Sequence, residues 1–257
     1  MCLFLGIWMN CLSQSQIDAY SLATSSADIY SPKRSVLNRN PASIVDLQHH
    51  GISVNSILPY GLSSLRSSSI GYTGKVWQKP LGLEYSISNF EQYSEHLIAF
   101  ATGLKIAEHW NVGIKLIDKI IRAEENNRSI WHVELGVVEK HSKNLSTALH
   151  FSYKNKQEDV DLNQTKLAIG IQYQFNSFVK NFTCVEANNN SKISMRTAFT
   201  FDWKKSTQLH LGFSSVDAPI STGISLSLYS IDVNLSTSYH QQLGISYGMG
   251  LCYVMRK

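Results

Sequence analysis

Residues 166–175 read KLAIGIQYQF, and the alternation in this stretch decides the fold. Successive side chains of an extended strand point to opposite sides. Leu167, Ile169, Ile171, Tyr173 and Phe175 therefore share one face, and Lys166, Ala168, Gly170, Gln172 and Gln174 share the other. The pattern recurs at 206–214, where Leu209, Leu211 and Phe213 oppose Gln208, His210, Gly212 and Ser214. It recurs at 231–236, and again at 245–253, where Ile245, Tyr247, Met249, Leu251 and Tyr253 oppose Ser246, Gly248, Gly250 and Cys252.

The second face separates two kinds of β-protein. The outer face of a soluble sandwich meets water and carries Lys, Glu and Arg. Here it is mostly Ser, Gly, Ala, Gln and Thr, while the first face is aliphatic and aromatic. Strands of about 10 residues with an apolar outside and a polar inside are the signature of a transmembrane barrel. Composition agrees: 16% of the 257 residues are charged, against about 25% in a typical soluble domain. The longest apolar run, Cys2 to Met9, is far short of the roughly 20 residues a membrane helix needs. Aromatics at 11% argue against disorder. A formal net charge of +4 points to no nucleic-acid partner. The predicted class is all-β, an antiparallel transmembrane β-barrel.

Fourteen strands are expected, near 50–58, 66–76, 80–88, 94–105, 109–119, 129–139, 145–153, 164–175, 178–186, 192–203, 206–214, 219–228, 230–239 and 243–255. An even count closes a single-chain barrel with both termini on the periplasmic side. The connections sort accordingly. Short ones such as Trp77–Lys79 and Lys204–Lys205 fall on that side, and longer polar ones fall outside: Arg122–Arg128, Lys154–Asn163 and Glu186–Ser191. Aromatics mark both rims, where amphipathic rings prefer to sit. Trp77, Trp110, Trp203 and Tyr253 belong to the periplasmic side, and Tyr60, Tyr93, Trp131, Tyr153 and Tyr239 to the outer side.

Residues 1–15 are expected to be a signal peptide. An apolar core at Cys2–Met9 precedes the small-x-small triplet Ser13-Gln14-Ser15, and cleavage after Ser15 leaves a chain that begins at Gln16. Export then leaves Cys184 and Cys252, too few for a disulfide framework. Residues 16–49 lack long alternation and are rich in Ser, Ala and Asn, with Asn40-Pro41-Ala42 shortly before the first strand. Proline pushes Asn40 out of helical geometry and favours a turn there. The expected organisation is a hatch at 16–49 and a barrel at 50–257.

A short N-terminal segment, an Asn-Pro-Ala turn and a barrel resemble the FadL-like outer-membrane proteins, and within them the PorV/PorQ branch found with type IX secretion. Pro59-Tyr60-Gly61-Leu62, Tyr93-Ser94-Glu95-His96, Trp110-Asn111-Val112-Gly113-Ile114 and Leu243-Gly244-Ile245-Ser246-Tyr247 carry the likeness. The resemblance implies a fourteen-stranded barrel with its N-terminal segment folded inward as a hatch. It also implies a bacterial outer-membrane location and no enzymatic reaction.

No P-loop, His-Glu-x-x-His or Gly-x-Ser-x-Gly motif occurs in the sequence, and no cofactor or metal is expected. His49-His50 reads as a contact between hatch and barrel. Strand parity places Glu84, Lys115, His132, Glu134, His150, Arg196, Asp202, His210 and Asp232 in the lumen. Glu84–Lys115 and Glu134–Arg196 are expected pairs, because interior charges need partners. The foremost expectation is a structural or accessory subunit of an envelope or type IX-like secretion assembly, with outer-membrane lipid and an envelope protein as partners. The alternative is a passive FadL-like channel for small hydrophobic molecules with lateral exit through the wall.

Overall fold

The computed structural model describes residues 18–30, 37, 39–90, 93–123, 127–155, 164–189, 193–204, 206–216 and 220–255. The expected signal peptide lies outside them. The strands are β1 (His50–Leu58), β2 (Ser67–Val76), β3 (Lys79–Asn89), β4 (Tyr93–Lys105), β5 (Trp110–Ala123), β6 (Asn127–Lys140) and β7 (Leu145–Lys154). They continue as β8 (Gln164–Gln174), β9 (Val179–Asn188), β10 (Ile193–Lys204), β11 (Thr207–Ser214), β12 (Ile220–Leu228), β13 (Ile231–His240) and β14 (Gly244–Met255). Each pairs antiparallel with its chain neighbours, and β1 pairs with β14 to close a fourteen-stranded barrel. No helix among the described residues is long and apolar enough to cross a membrane.

The alternation of 166–175 reappears as burial. Leu167, Ile169 and Ile171 are exposed on the outside of β8, and the small residues Ala168 and Gly170 between them are buried inside. The same parity runs around the wall, so the barrel is apolar outward and polar inward. The end at which β1 begins and β14 finishes is called the terminal end below, and the other the loop end.

Two boundaries differ from expectation at the loop end. β5 and β6 pair as far as Arg122 and Asn127, so the expected loop 122–128 contracts to 124–126, outside the described residues. β9 likewise runs on through Glu186 to Asn188. Polar side chains mark where a strand leaves lipid, and the hydrogen-bonded ladder continues beyond that level because an extended hairpin can be wet on both faces.

The lumen is occupied by the N-terminal segment. A five-residue helix α1 (Ala19–Ala23) begins at Asp18, whose carboxylate accepts the Ser21 N–H at 2.6 Å as an N-cap. It packs inside β11–β14 and β1. A 3-10 helix, Pro41–Asp46, has Asn40 as its N-cap and Pro41 at its first position, where a missing N–H costs nothing. It packs inside β3–β6. The expected role of His49-His50 is corrected. His50 shares the outward parity of Ile52, its Nδ1 lies 2.7 Å from the Tyr72 hydroxyl on β2, and His49 is exposed, so the contact is within the wall.

Candidate lumenal site and hatch seat

Asn40, fully buried, ties the hatch to the wall. Its Oδ1 accepts the Ala42 N–H at 2.9 Å, and its Nδ2 donates to the carbonyls of Leu149 at 2.9 Å and Val137 at 3.3 Å. The wall makes room for this turn with glycine. A Cβ on Gly113 would overlap the Pro41 carbonyl and the Ala42 nitrogen, and one on Gly136 would overlap the Asn40 carboxamide. Asp46 closes the same edge. It accepts from the Tyr30 hydroxyl and from Asn111 Nδ2, each at 2.9 Å, and from Lys140 Nζ.

On the opposite wall, Ser221 Oγ donates to the Ala23 carbonyl at 2.9 Å, and the Tyr20 ring meets His210 edge-on at 4.9 Å. Arg39 holds the two halves of the hatch together. It donates to Ser21 Oγ at 2.9 Å and to the Ser26 carbonyl at 3.1 Å, and it lies 3.4 Å from Asp28. Burial pushes the Asp28 carboxyl above its ordinary value, with the Arg39 guanidinium opposing.

The nine sequence-predicted lumenal residues, Glu84, Lys115, His132, Glu134, His150, Arg196, Asp202, His210 and Asp232, all occupy inward-facing strand positions. Their pairing is corrected. Lys115 Nζ meets Glu134 Oε2 at 3.3 Å, and His150 Nε2 lies 3.5 Å from the same oxygen. Arg196 pairs with Glu186 at 3.3 Å, not with Glu134. Glu84 stays within electrostatic reach of Lys115. Lys115 and Glu134 stand directly opposite in the β5–β6 register, and facing residues on neighbouring strands have Cβ atoms about 5 Å apart. The short reach to the next strand outcompetes a partner across the lumen.

Sequence reasoning missed three partners, Lys119 and Glu95, paired at 2.8 Å, and Glu186. Lys119 shares its parity with Lys115, so its inward direction was readable. Glu186 falls where the expected strand 178–186 meets the expected loop Glu186–Ser191, so parity alone does not settle its direction. The predicted rim aromatics Trp77, Trp110, Trp131, Trp203 and Tyr253 are all exposed. Trp77 sits in the β2–β3 turn with φ of 48°, and Trp110 begins β5. Trp203 and Tyr253 lie near the terminal ends of β10 and β14, and Trp131 near the loop end of β6.

Above the hatch, toward the loop end, a cavity of about 180 Å³ lies between the hatch residues Ser26, Ile29 and Arg39 and the inner faces of β5–β10. Its wall carries Lys119, His132, Glu134, His150, Lys154, Lys166, Glu186 and Arg196. This is a charged vestibule, equipped to bind polar solutes. Among the described residues no three His, Cys, Asp or Glu side chains are placed to share a metal ion. The outer wall bears an apolar groove of about 650 Å³ that includes Leu58, Leu209, Ile224, Leu235 and Tyr247. Strand pairing is continuous beneath it. The register irregularity between Asp202 and Lys204 lies at the terminal end of β10.

Several solved structures share the architecture. The Ralstonia pickettii toluene transporter TbuX superposes with a TM-score of 0.67 at 8% identity, over 95% of this chain and 99% of that one. A deltaS2S3 mutant of the TodX monoaromatic hydrocarbon channel gives 0.64 at 10% identity, over 94% and 99%. A Pseudomonas aeruginosa FadL homologue gives 0.59 at 9% identity, over 92% and 98%. At these identities the likeness is one of fold. No protein-family model and no curated protein matches the sequence.

Proposed function

We propose that this protein is a passive channel of the bacterial outer membrane, exported by a signal peptide at residues 1–15, whose lumen is closed at rest by its own hatch. The observation that carries this reading is the hatch seat. The turn at Asn40–Ala42 rests on Gly113 and Gly136 and is held by side-chain hydrogen bonds and ion pairs. Such contacts can be exchanged for water without breaking the wall. Small hydrophobic molecules are the proposed cargo, supported by the toluene transporter and the monoaromatic hydrocarbon channel among the structural neighbours. That support is analogy of fold. The continuous pairing of the described wall favours a route opened by movement of the hatch over a preformed lateral window.

The test is uptake of toluene by proteoliposomes against protein-free vesicles, with wild type and Gly113→Ala side by side. Faster uptake, greater still in the variant, is expected. Equality of both with protein-free vesicles overturns the reading. The accessory role in a type IX-like assembly of the PorV/PorQ kind rests on the plugged barrel and its polar loops. Crosslinked envelope partners recovered from outer membranes, together with no uptake, would favour it over the channel.

A further inference from the structure

The vestibule is more basic than its pairing requires. Among the described residues, Arg39, Lys115, Lys119, Lys154, Lys166 and Arg196 stand with Asp28, Glu95, Glu134 and Glu186, six cations against four carboxylates. Five of these cations, Arg39, Lys119, Lys154, Lys166 and Arg196, line the cavity itself against two carboxylates, Glu134 and Glu186, while Glu84 and Asp18, which bring the wider count level, lie outside its lining. Glu186 is shared by Arg196 at 3.3 Å and Lys166 at 3.7 Å. Lys154, which ends β7, has no ion pair among the described residues, and Lys119, Lys166 and the Glu95 carboxylate stand within electrostatic reach of it, two like charges against one opposite. Like charges gathered in a partly enclosed site repel one another unless a counter-ion is present.

A second observation points the same way. Among the described residues, Arg39 Nη2, His132 Nε2 and His150 Nε2 are buried without a hydrogen-bond partner, and all three residues line this cavity. Arg39 Nη2 has Asp28 only at 3.4 Å, and His150 Nε2 has Glu134 only at 3.5 Å. Arg39 Nη2 is a donor in every state, and the two imidazole nitrogens donate when they carry the ring proton; Glu134 Oε2 in the same lining is an acceptor likewise without a hydrogen-bond partner among the described residues. A buried donor without an acceptor is costly, so Arg39 above all marks a place for a ligand rich in acceptors. The cavity volume of about 180 Å³ equals the share of roughly six water molecules. That space and its charged lining suit a compact polar ion.

We propose that the vestibule binds a small oxyanion carrying two or more negative charges, of the phosphate or polycarboxylate class. Lys154 and Lys166 contact it from the wall, and Arg39 contacts it from the hatch. Because Arg39 moves with the hatch while the lysines are fixed to strands, the bound anion bridges the two. Occupancy therefore favours the docked hatch by simple linkage. The site stands whether or not the barrel conducts hydrophobic molecules, and binding can be measured without any transport.

The experiment is calorimetric titration of the full-length protein in detergent with inorganic phosphate and, separately, with citrate, at constant ionic strength set by sodium chloride. Saturable binding is expected for either or both anions. It should weaken at least about tenfold in the double variant Lys154→Gln/Lys166→Gln, the lower range for hydrogen bonds to a charged group. Lys79→Gln, at the terminal end, should leave it unchanged. Lys166→Arg keeps the charge and should retain binding, which separates loss of the site from loss of folding. Limited proteolysis should show the wild-type hatch better protected with phosphate than with chloride. No saturable binding of either anion to the wild type, or equal affinity in the double variant, overturns the proposal.

Discussion

Replacing Gly113 by alanine tests whether the hatch is seated as described. A methyl group there would overlap the backbone of Pro41 and Ala42, well inside the 3.0 Å that real Cβ contacts respect. Backbone cannot swing aside as a flexible side chain can. Ordinary contact at 3.4 Å requires the turn to retreat by about 1 Å. Asn40 then loses its bonds to the Leu149 and Val137 carbonyls, now 2.9 and 3.3 Å long. Two hydrogen bonds at about 1 kcal/mol each, with up to about 2 kcal/mol more to the extent that the buried carboxamide stays unsatisfied, come to about 2–4 kcal/mol. At 1.4 kcal/mol per tenfold, the docked-to-undocked ratio falls roughly 30- to 700-fold.

Planar-bilayer recordings should show open steps in Gly113→Ala that are rare in the wild type. The hatch of the variant should also be cut faster by protease in detergent. Gly51→Ala is the control, because its new methyl would meet nothing nearer than 3.5 Å. A Gly113→Ala protein as silent and as protected as the Gly51→Ala control would refute the steric account.

Three further outcomes follow from the charges and the wall. Lys115→Met leaves the Glu134 carboxylate buried without its lysine and should cost about 3–5 kcal/mol in urea unfolding; the double variant Lys115→Met/Glu134→Gln should recover most of the loss, and no recovery would argue against a direct pair. Ile169→Arg places a charge on the outward face of β8 and should cost about 2–4 kcal/mol of folding into vesicles if it lies at mid-membrane, whereas a loss below 1 kcal/mol would show that this face does not meet lipid. Asp28 has its carboxyl raised above the ordinary 3.8 by burial, against the pull of Arg39. Between 3.8 and the raised value the folded chain therefore holds more protons than the unfolded one. Its contribution weakens as pH rises through that window and returns as pH falls, so Asp28→Asn should flatten this part of the curve of unfolding midpoint against pH, and an unchanged slope would count against the assignment.

The wall was readable because period-2 parity is a one-dimensional signal, an apolar outer face against a polar lumen, repeated along every strand. It placed Glu84, Lys115, Glu134, Arg196 and Asp232 inward. Partner choice was not readable, since it depends on register. Lys115 faces Glu134 only because β5 and β6 are joined where Arg122 meets Asn127, and a shift of one residue would turn every side chain to the other face. The glycine seat left a trace in the small residues of the inner face. What makes Gly113 and Gly136 special is the approach of a turn about seventy to a hundred residues earlier in the chain, and local sequence holds no record of that contact.

Wall and hatch are held by interactions with different alternatives. In the proposed membrane setting the wall is surrounded by lipid, which offers no substitute for a broken inter-strand hydrogen bond, and the apolar outer belt fixes each strand against rotation. The hatch is held by Asn40, Asp46, Ser221 and Arg39, whose partners can be traded for water at modest net cost. Any opening of the lumen is therefore concentrated in the hatch. The charges that do remain in this charge-poor chain reinforce that division. Lys115, Glu134, Lys119 and Glu95 tie strand to neighbouring strand, whereas Lys140–Asp46 ties strand to hatch. Neutralising Asp46 should loosen the hatch without weakening the barrel, and neutralising Lys115 should do the reverse. Conductance and unfolding measurements on the two variants distinguish this separable gate from a barrel in which plug and wall melt together.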